Sequence, residues 1–255
     1  MARVIAVANQ KGGVGKTTTA VNLGAYLSIG GRVLLIDLDP QANATSSLGI
    51  TPRALGRSIY DVLLGSSDLE EIVVSTNEPG LDLAPSSPAL AAAQVELVDV
   101  PERELRLRHA LAPIAPAYDV IVVDCPPSLG FLTINALAAA DGLVVPVQCE
   151  YLALEGLGQL MEIIDAVREQ LNPHLELIGV LLTMHDARTN LSIQVADEVR
   201  RHFPRQTFEH IVPRSIRLSE APSYGQSIRS YDAASRGALA YAGLAEEVIR
   251  RGYAP

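Results

Sequence analysis

Gln10-Lys11-Gly12-Gly13-Val14-Gly15-Lys16-Thr17-Thr18 stands between an apolar, β-prone run, Val4-Ile5-Ala6-Val7-Ala8, and a segment whose residues Ala20, Leu23, Gly24 and Leu27 recur at helical spacing. The nonapeptide therefore lies where a strand turns into a helix, and such a junction binds anions for local reasons. Glycine lets the backbone curl until several N–H groups converge on one point, and the first helical turn adds its positive end. Lys16 supplies a cation for phosphate oxygens and Thr17 a hydroxyl for Mg²⁺, while Gly12, Gly13, Val14, Gly15 and Thr18 complete the expected cradle. The usual form of such a loop has glycine five residues before Gly15, where this chain has Gln10. An additional lysine, Lys11, opens the loop instead. A glycine-rich turn without a ligand is the alternative, and it leaves the agreement of strand, loop, lysine, hydroxyl and helix unexplained.

Two further strands end in carboxylates. Arg32-Val33-Leu34-Leu35-Ile36-Asp37 follows the helix-ending pair Gly30-Gly31 and runs into Leu38-Asp39-Pro40-Gln41-Ala42-Asn43. In open α/β sheets ligands sit outside the carboxyl ends of strands. Asp39 is thus a candidate for polarising an attacking water and Asp37 for a contact near the metal, with helix capping as the other use of Asp39. Tyr118-Asp119-Val120-Ile121-Val122-Val123-Asp124 is a second such strand, and Asp124 is placed to enter the Mg²⁺ hydration shell or, alternatively, to cap a helix.

The rest of the chain alternates. Strands are expected at 81–85, 142–147, 175–182 and 209–212, and helices at 58–64, 69–74, 154–170, 191–203 and 233–251, with two more between 86 and 114 divided by Pro101. That alternation implies an α/β fold, a mostly parallel, twisted central sheet with helices on both faces, in one domain over 1–255. The arginine face formed by Arg103, Arg106 and Arg108 reads as solvated, a nucleic-acid surface being the other reading. His185, in the loop 183–190, reads as a surface or capping histidine rather than a ligand.

Composition bounds the rest. The 255 residues are 48% apolar with a net charge of −9, a folded chain whose overall charge does not favour nucleic acid. Residues 1–150 hold 9 basic and 16 acidic side chains and 151–255 hold 11 and 13, so an anion-binding patch fits better in the second part. Beyond Lys11 and Lys16 every basic residue is arginine, and arginine must build such a patch. Cys125 and Cys149 make neither a disulfide framework nor a Cys-x-x-Cys pair. The expectation is a cytoplasmic protein without a spanning helix or a signal peptide.

Lys11-Gly12-Gly13-Val14-Gly15-Lys16-Thr17-Thr18 resembles the deviant P-loop of the ParA and MinD ATPases. Asp37-Leu38-Asp39-Pro40-Gln41 resembles their switch I, Pro126-Pro127-Ser128-Leu129-Gly130 the ParA switch II, and 213–222 a ParA segment near the nucleotide and the DNA-facing edge. The likeness spans nearly the whole chain and points to ParA-type chromosome or plasmid partitioning ATPases. It implies ATP and Mg²⁺ as cofactors, with Thr17, Asp39 and Asp124 around the metal, the carboxylates through water. It further implies an ATP-dependent homodimer in which Lys11 reaches the partner subunit's phosphates, with Lys16 and Asp39 serving hydrolysis in each. Pro213 would touch adenine. Arg188 and Arg217, with Arg214 as a secondary candidate, would grip non-specific double-stranded DNA; without the resemblance they read as surface arginines. A ParB-type centromere-binding partner would stimulate slow hydrolysis, on the nucleoid. Three alternatives stand beside this: a MinD-like membrane-cycling ATPase, which the lack of a bulky apolar face and lysines in the last helix disfavours; a P-loop switch acting on replication or transcription; and an iron–sulfur protein using the two cysteines.

Overall fold

Five strands of this chain are nearly unbroken apolar runs, a pattern that buries both faces and suits a parallel sheet wrapped by helices. The computed structural model, which describes residues 2–150 and 153–255, has that form. Seven strands, β1 (Arg3–Val7), β2 (Val33–Asp37), β3 (Val74–Ser75), β4 (Leu81–Ala84), β5 (Val120–Asp124), β6 (Gly142–Gln148) and β7 (Glu176–Thr183), form one sheet in the order β3-β4-β2-β5-β1-β6-β7. All neighbours pair in parallel except the short edge strand β3, which is antiparallel to β4.

The α-helices are α1 (Lys16–Leu27), α2 (Asn43–Ser47), α3 (Ile59–Leu64), α4 (Leu69–Ile72), α5 (Leu90–Glu96), α6 (Arg106–Ile114), α7 (Phe131–Ala139), α8 (Ala153–Gln170), α9 (Asn190–His202), α10 (Ile216–Glu220), α11 (Ile228–Asp232) and α12 (Arg236–Arg250). The alternation of side chains along each strand divides the core in two. Val4 and Ala6 of β1, Leu34 and Ile36 of β2, and Ile121 and Val123 of β5 join apolar residues of α3 and α5 through α9 on one face. Ile5 and Val7, Val33 and Leu35, and Val120 and Val122 join α1, α2 and α10 through α12 on the other. Helix α1 sits deepest. It is buried almost all round, and Thr19 shares a 3.2 Å hydrogen bond with the Tyr241 hydroxyl of α12.

Register sets the working end of the sheet. Val7 pairs with Asp124 and Asp124 with Asp37, so β1, β5 and β2 finish on one row and release three loops side by side.

The structure departs from expectation in particular places. Residues 209–212 form no strand; the stretch lies between two isolated bridges to and just beyond β7, Val180 to Thr207 and His185 to Pro213. The last helix begins at Arg236, not 233, because Ser235 caps it by accepting from Ala238 N–H, and α11 is separate. Arg103 lies in a 3₁₀ turn ahead of α6, and Arg106 donates from Nε to the Leu63 carbonyl at 2.8 Å, so both are half-buried rather than fully solvated.

Candidate nucleotide and metal site

Gly15 caps α1 with φ 90° and Gly13 has φ 75°, left-handed conformations that favour glycine. No side chain caps the first turn of α1, so its N–H groups have no side-chain acceptor. The loop is braced from behind. The Thr183 hydroxyl donates to Val14 O at 2.8 Å, Asn9 Nδ2 donates to Pro146 O at 2.7 Å, and Asn9 Oδ1 accepts the Lys11 N–H at 3.0 Å.

Lys16 is 6% exposed and donates from Nζ to Lys11 O at 3.0 Å, folded back across the loop it follows. Burial pulls its pKa below the ordinary lysine value, with Asp124, Cys125 and Asp39 opposing the fall. Asp124, at the end of β5, is fully buried, and among the described residues neither carboxylate oxygen has a hydrogen-bond partner. Burial, then the neighbouring charge of Asp37, drives its carboxyl well above the usual range; the Thr17 hydroxyl and Lys16 pull the other way without meeting hydrogen-bond geometry. An orphaned carboxylate of this kind asks for a cation.

The donors on hand fit a hard cation. Thr17, Asp39 and Asp124 are oxygen donors, and among the described residues no cluster of three His, Cys, Asp or Glu side chains could hold a metal unaided. Mg²⁺ suits such a place, since it keeps waters and takes one or two carboxylates together with substrate phosphates.

Asp39, 6% exposed, accepts the Gln41 N–H on Oδ1 at 2.9 Å and lines a cleft of about 370 Å³ with Gly12, Gly13, Lys16 and Thr17. Asp37 plays another part than the metal contact expected of it. Its Oδ1 accepts the Asp39 N–H at 3.1 Å and its Oδ2 the Thr45 N–H and hydroxyl at 2.8 and 2.7 Å, which commits both oxygens to the loop itself. Burial pushes its pKa up to about 6 against the pull of those bonds.

A second pocket, of about 220 Å³, continues the cleft past Gly15 and Thr18 to Thr183, Met184, Pro213 and Tyr241. Pro213 is held there by backbone pairing: His185 N–H donates to Val212 O and Arg214 N–H to His185 O, both at 3.1 Å. The main chain of His185, not its ring, makes these bonds. Two other clefts, of about 340 Å³ beside α4 and α6 and about 650 Å³ beside Arg3 and Arg251, lie away from all these groups.

The three candidate arginines are exposed but engaged. Asp186 takes Arg188 in a two-pronged pair at 2.9 and 2.7 Å, and this partner holds the Asp186 carboxyl well below the usual range. Arg217 meets Glu220 at 3.1 Å and Asp232 at 3.5 Å, and Arg214 meets Glu150 at 3.5 Å. Glu150 also lies 3.8 Å from Lys11 Nζ, so Lys11 points to a carboxylate beside the loop rather than into its own cradle. Cys125 and Cys149 are buried, and burial raises the first thiol far up and the second to about 11. Thr45, Thr183 and Asn9 brace the site through these bonds without having been legible as part of it.

An AAA domain family model matches residues 2–177. The sporulation initiation inhibitor protein Soj of Bacillus subtilis is 53% identical over 253 residues, 99% of this chain and 100% of that protein. The chromosome partitioning protein ParA of Myxococcus xanthus is 52% identical over 250 residues, 98% of this chain and 88% of that protein. A crystal structure of cobyrinic acid a,c-diamide synthase from Mycobacterium smegmatis with a bound ATP analogue and magnesium superposes with a TM-score of 0.88 at 41% identity, covering 99% of this chain and 96% of that one.

Proposed function

Because the chain belongs to the ParA/Soj family of chromosome-partitioning ATPases, we propose that residues 1–255 act as one ATP-hydrolysing domain that tethers to DNA during segregation. The observation that carries the reading is the orphaned Asp124 carboxylate set in one row with the glycine loop and the Asp39 loop. That is a site built for a polyphosphate and its cation.

In this reading the N–H groups of residues 12–18 and the Lys16 ammonium bind the phosphates of ATP, and the base enters the pocket beside Pro213. The Thr17 hydroxyl and, through water, Asp39 and Asp124 would hold Mg²⁺, which would offset phosphate charge. Asp39 orients the attacking water. Lys11 leaves Glu150 and reaches the phosphates of a second copy, closing a homodimer over two nucleotides. That dimer sets two copies of Arg188, Arg214 and Arg217 on one surface, where they exchange their carboxylate partners for DNA phosphates without reading bases. A ParB-type partner accelerates hydrolysis and so releases the DNA, on the nucleoid of the cell. Cys125 and Cys149, both buried, take no part in this reading. Nor is any helix among the described residues long and apolar enough to cross a membrane.

Fluorescence anisotropy with duplex DNA of arbitrary sequence tests the reading. We expect binding with ATP but not ADP, weakened several-fold by Arg217→Ala and falling steeply with salt. Binding indifferent to nucleotide removes the ATP control of the tether, and absence of binding in every nucleotide state removes the tether itself.

A further inference from the structure

Asp39 is useful only where its carboxylate is held still, and within its own turn it is held by two bonds, Gln41 N–H to Oδ1 at 2.9 Å and Ala42 N–H to its carbonyl at 2.8 Å, across a bend in which Ala42 takes φ 52°. That turn is left-handed at a non-glycine residue, so something outside it must hold it. The hold comes from Ser86, in the connection between β4 and α5. Its hydroxyl donates to the Asp39 carbonyl at 2.7 Å, and its N–H donates to the Thr45 hydroxyl at 2.9 Å. The Thr45 hydroxyl in turn donates to Asp37 Oδ2, and Asp37 Oδ1 accepts the Asp39 N–H. The chain closes on itself: Asp39 carbonyl, Ser86, Thr45, Asp37, Asp39 amide.

Ser86, Thr45 and Asp37 are fully buried, so these bonds face no competition from water. Ser86 is anchored in its own right. Pro85 O accepts the Ile59 N–H at 2.9 Å, and Ser87 Oγ meets Ser58 Oγ at 2.9 Å, which ties the connection to the start of α3. None of these atoms belongs to the cleft itself.

We infer that Ser86 is a positioning residue for ATP hydrolysis, fixing the Asp39 carbonyl so that the Asp39 carboxylate stands where water is activated. The inference rests on the role proposed above for Asp39. A displacement of about 1 Å in a group that orients a nucleophile lowers turnover on the order of a hundredfold, while the nucleotide, bound by the loop at 12–18, is held as before.

Single-turnover hydrolysis and binding of a non-hydrolysable ATP analogue, measured on Ser86→Ala, Ser86→Thr, Asp39→Ala and the double variant Ser86→Ala/Asp39→Ala, test this. Expected are a ten- to hundredfold fall in turnover for Ser86→Ala with analogue affinity within about threefold of wild type, and recovery in Ser86→Thr, which keeps the hydroxyl. The double variant should turn over no more slowly than Asp39→Ala alone, because Ser86 acts through Asp39. Unchanged turnover in Ser86→Ala overturns the inference, as does an additive loss in the double variant or a loss of analogue binding that parallels the loss of turnover. Full activity in Asp39→Ala is a separate result, and it removes the proposed role of Asp39 itself. If Ser86→Ala does not fold, Thr45→Ser against Thr45→Val makes the same comparison one bond further along, and equal turnover in that pair overturns the inference.

Discussion

Lys16 is the side chain whose removal separates binding from folding most cleanly. Its ammonium is buried, its charge is disfavoured there, and it donates to a carbonyl of its own loop. Lys16→Met should therefore raise the dissociation constant for Mg²⁺–ATP on the order of 100-fold, from about 3 kcal/mol of lost charge-assisted hydrogen bonding, and leave the ligand-free melting temperature unchanged or higher. Titration calorimetry beside thermal unfolding checks both parts. Lys16 was legible because its chemistry follows from its position at a strand-to-helix junction. Asp124 was legible for a like reason, as the end of an apolar run. Asp37 was read as a metal neighbour because it too ends a strand; its commitment to Thr45 depends on how the chain turns eight residues later, which no local pattern encodes. Ser86 carried no signal at all, since a serine after a strand is common in any loop.

Among the elements, the long apolar ones were read well and the short ones poorly. Residues 209–212 alternate like a strand, yet they run beside β7 without pairing into the sheet, between isolated parallel bridges at Thr207 and Pro213. Helix α2 was missed because five residues, three of them Ser or Thr, have too little helical preference to announce themselves; the carboxylate of Asp37 organises it instead. The turn after α2 also meets the C-terminal layer. Gly49 and Gly225 both take positive φ, 79° and 66°, and stack so closely that a Cβ on Gly225 would lie 2.8 Å from the Gly49 Cα. Gly225→Ala should cost roughly 1–3 kcal/mol, from left-handed strain and displaced backbone. Urea unfolding should show a lower midpoint with the same slope; an unchanged midpoint means the two turns part freely.

For the molecule as a whole, four buried carboxylates set the response to pH. Burial, with the charge of Asp39, holds the pKa of Asp37 up near 6, and burial, with the charge of Asp37, holds that of Asp124 above the usual range. An unfolded aspartate ionises near pH ~4, so the native state keeps extra protons; the stability they contribute is complete below that and is lost as pH rises through about 6. Glu78 and Glu247 act oppositely. Burial pushes each up, but Ser227, Ser230 and Arg229 around the first, and the 209–210 amides and His210 around the second, bring both below the ordinary value. Their contribution is present above the unfolded glutamate pKa of ~4.3 and fades as pH falls through the folded values. The ligand-free protein should thus be more stable near pH ~4.5 than at pH 7.5, and Mg²⁺–ATP should raise its melting temperature more at pH 7.5 than at pH 5.5. Scanning calorimetry across that range gives the answer, and a ligand-free optimum above pH 7 contradicts it.

The common finishing line of β1, β5 and β2 also governs how this chain can change length. One residue added inside any of the three strands shifts its last side chain by about 3.3 Å and turns it to the opposite face of the sheet. Insertions and deletions are therefore barred from the strands that lead to Val7, Asp124 and Asp37. They pass more readily through exposed turns that do not line the cleft, such as 65–68 and 98–102.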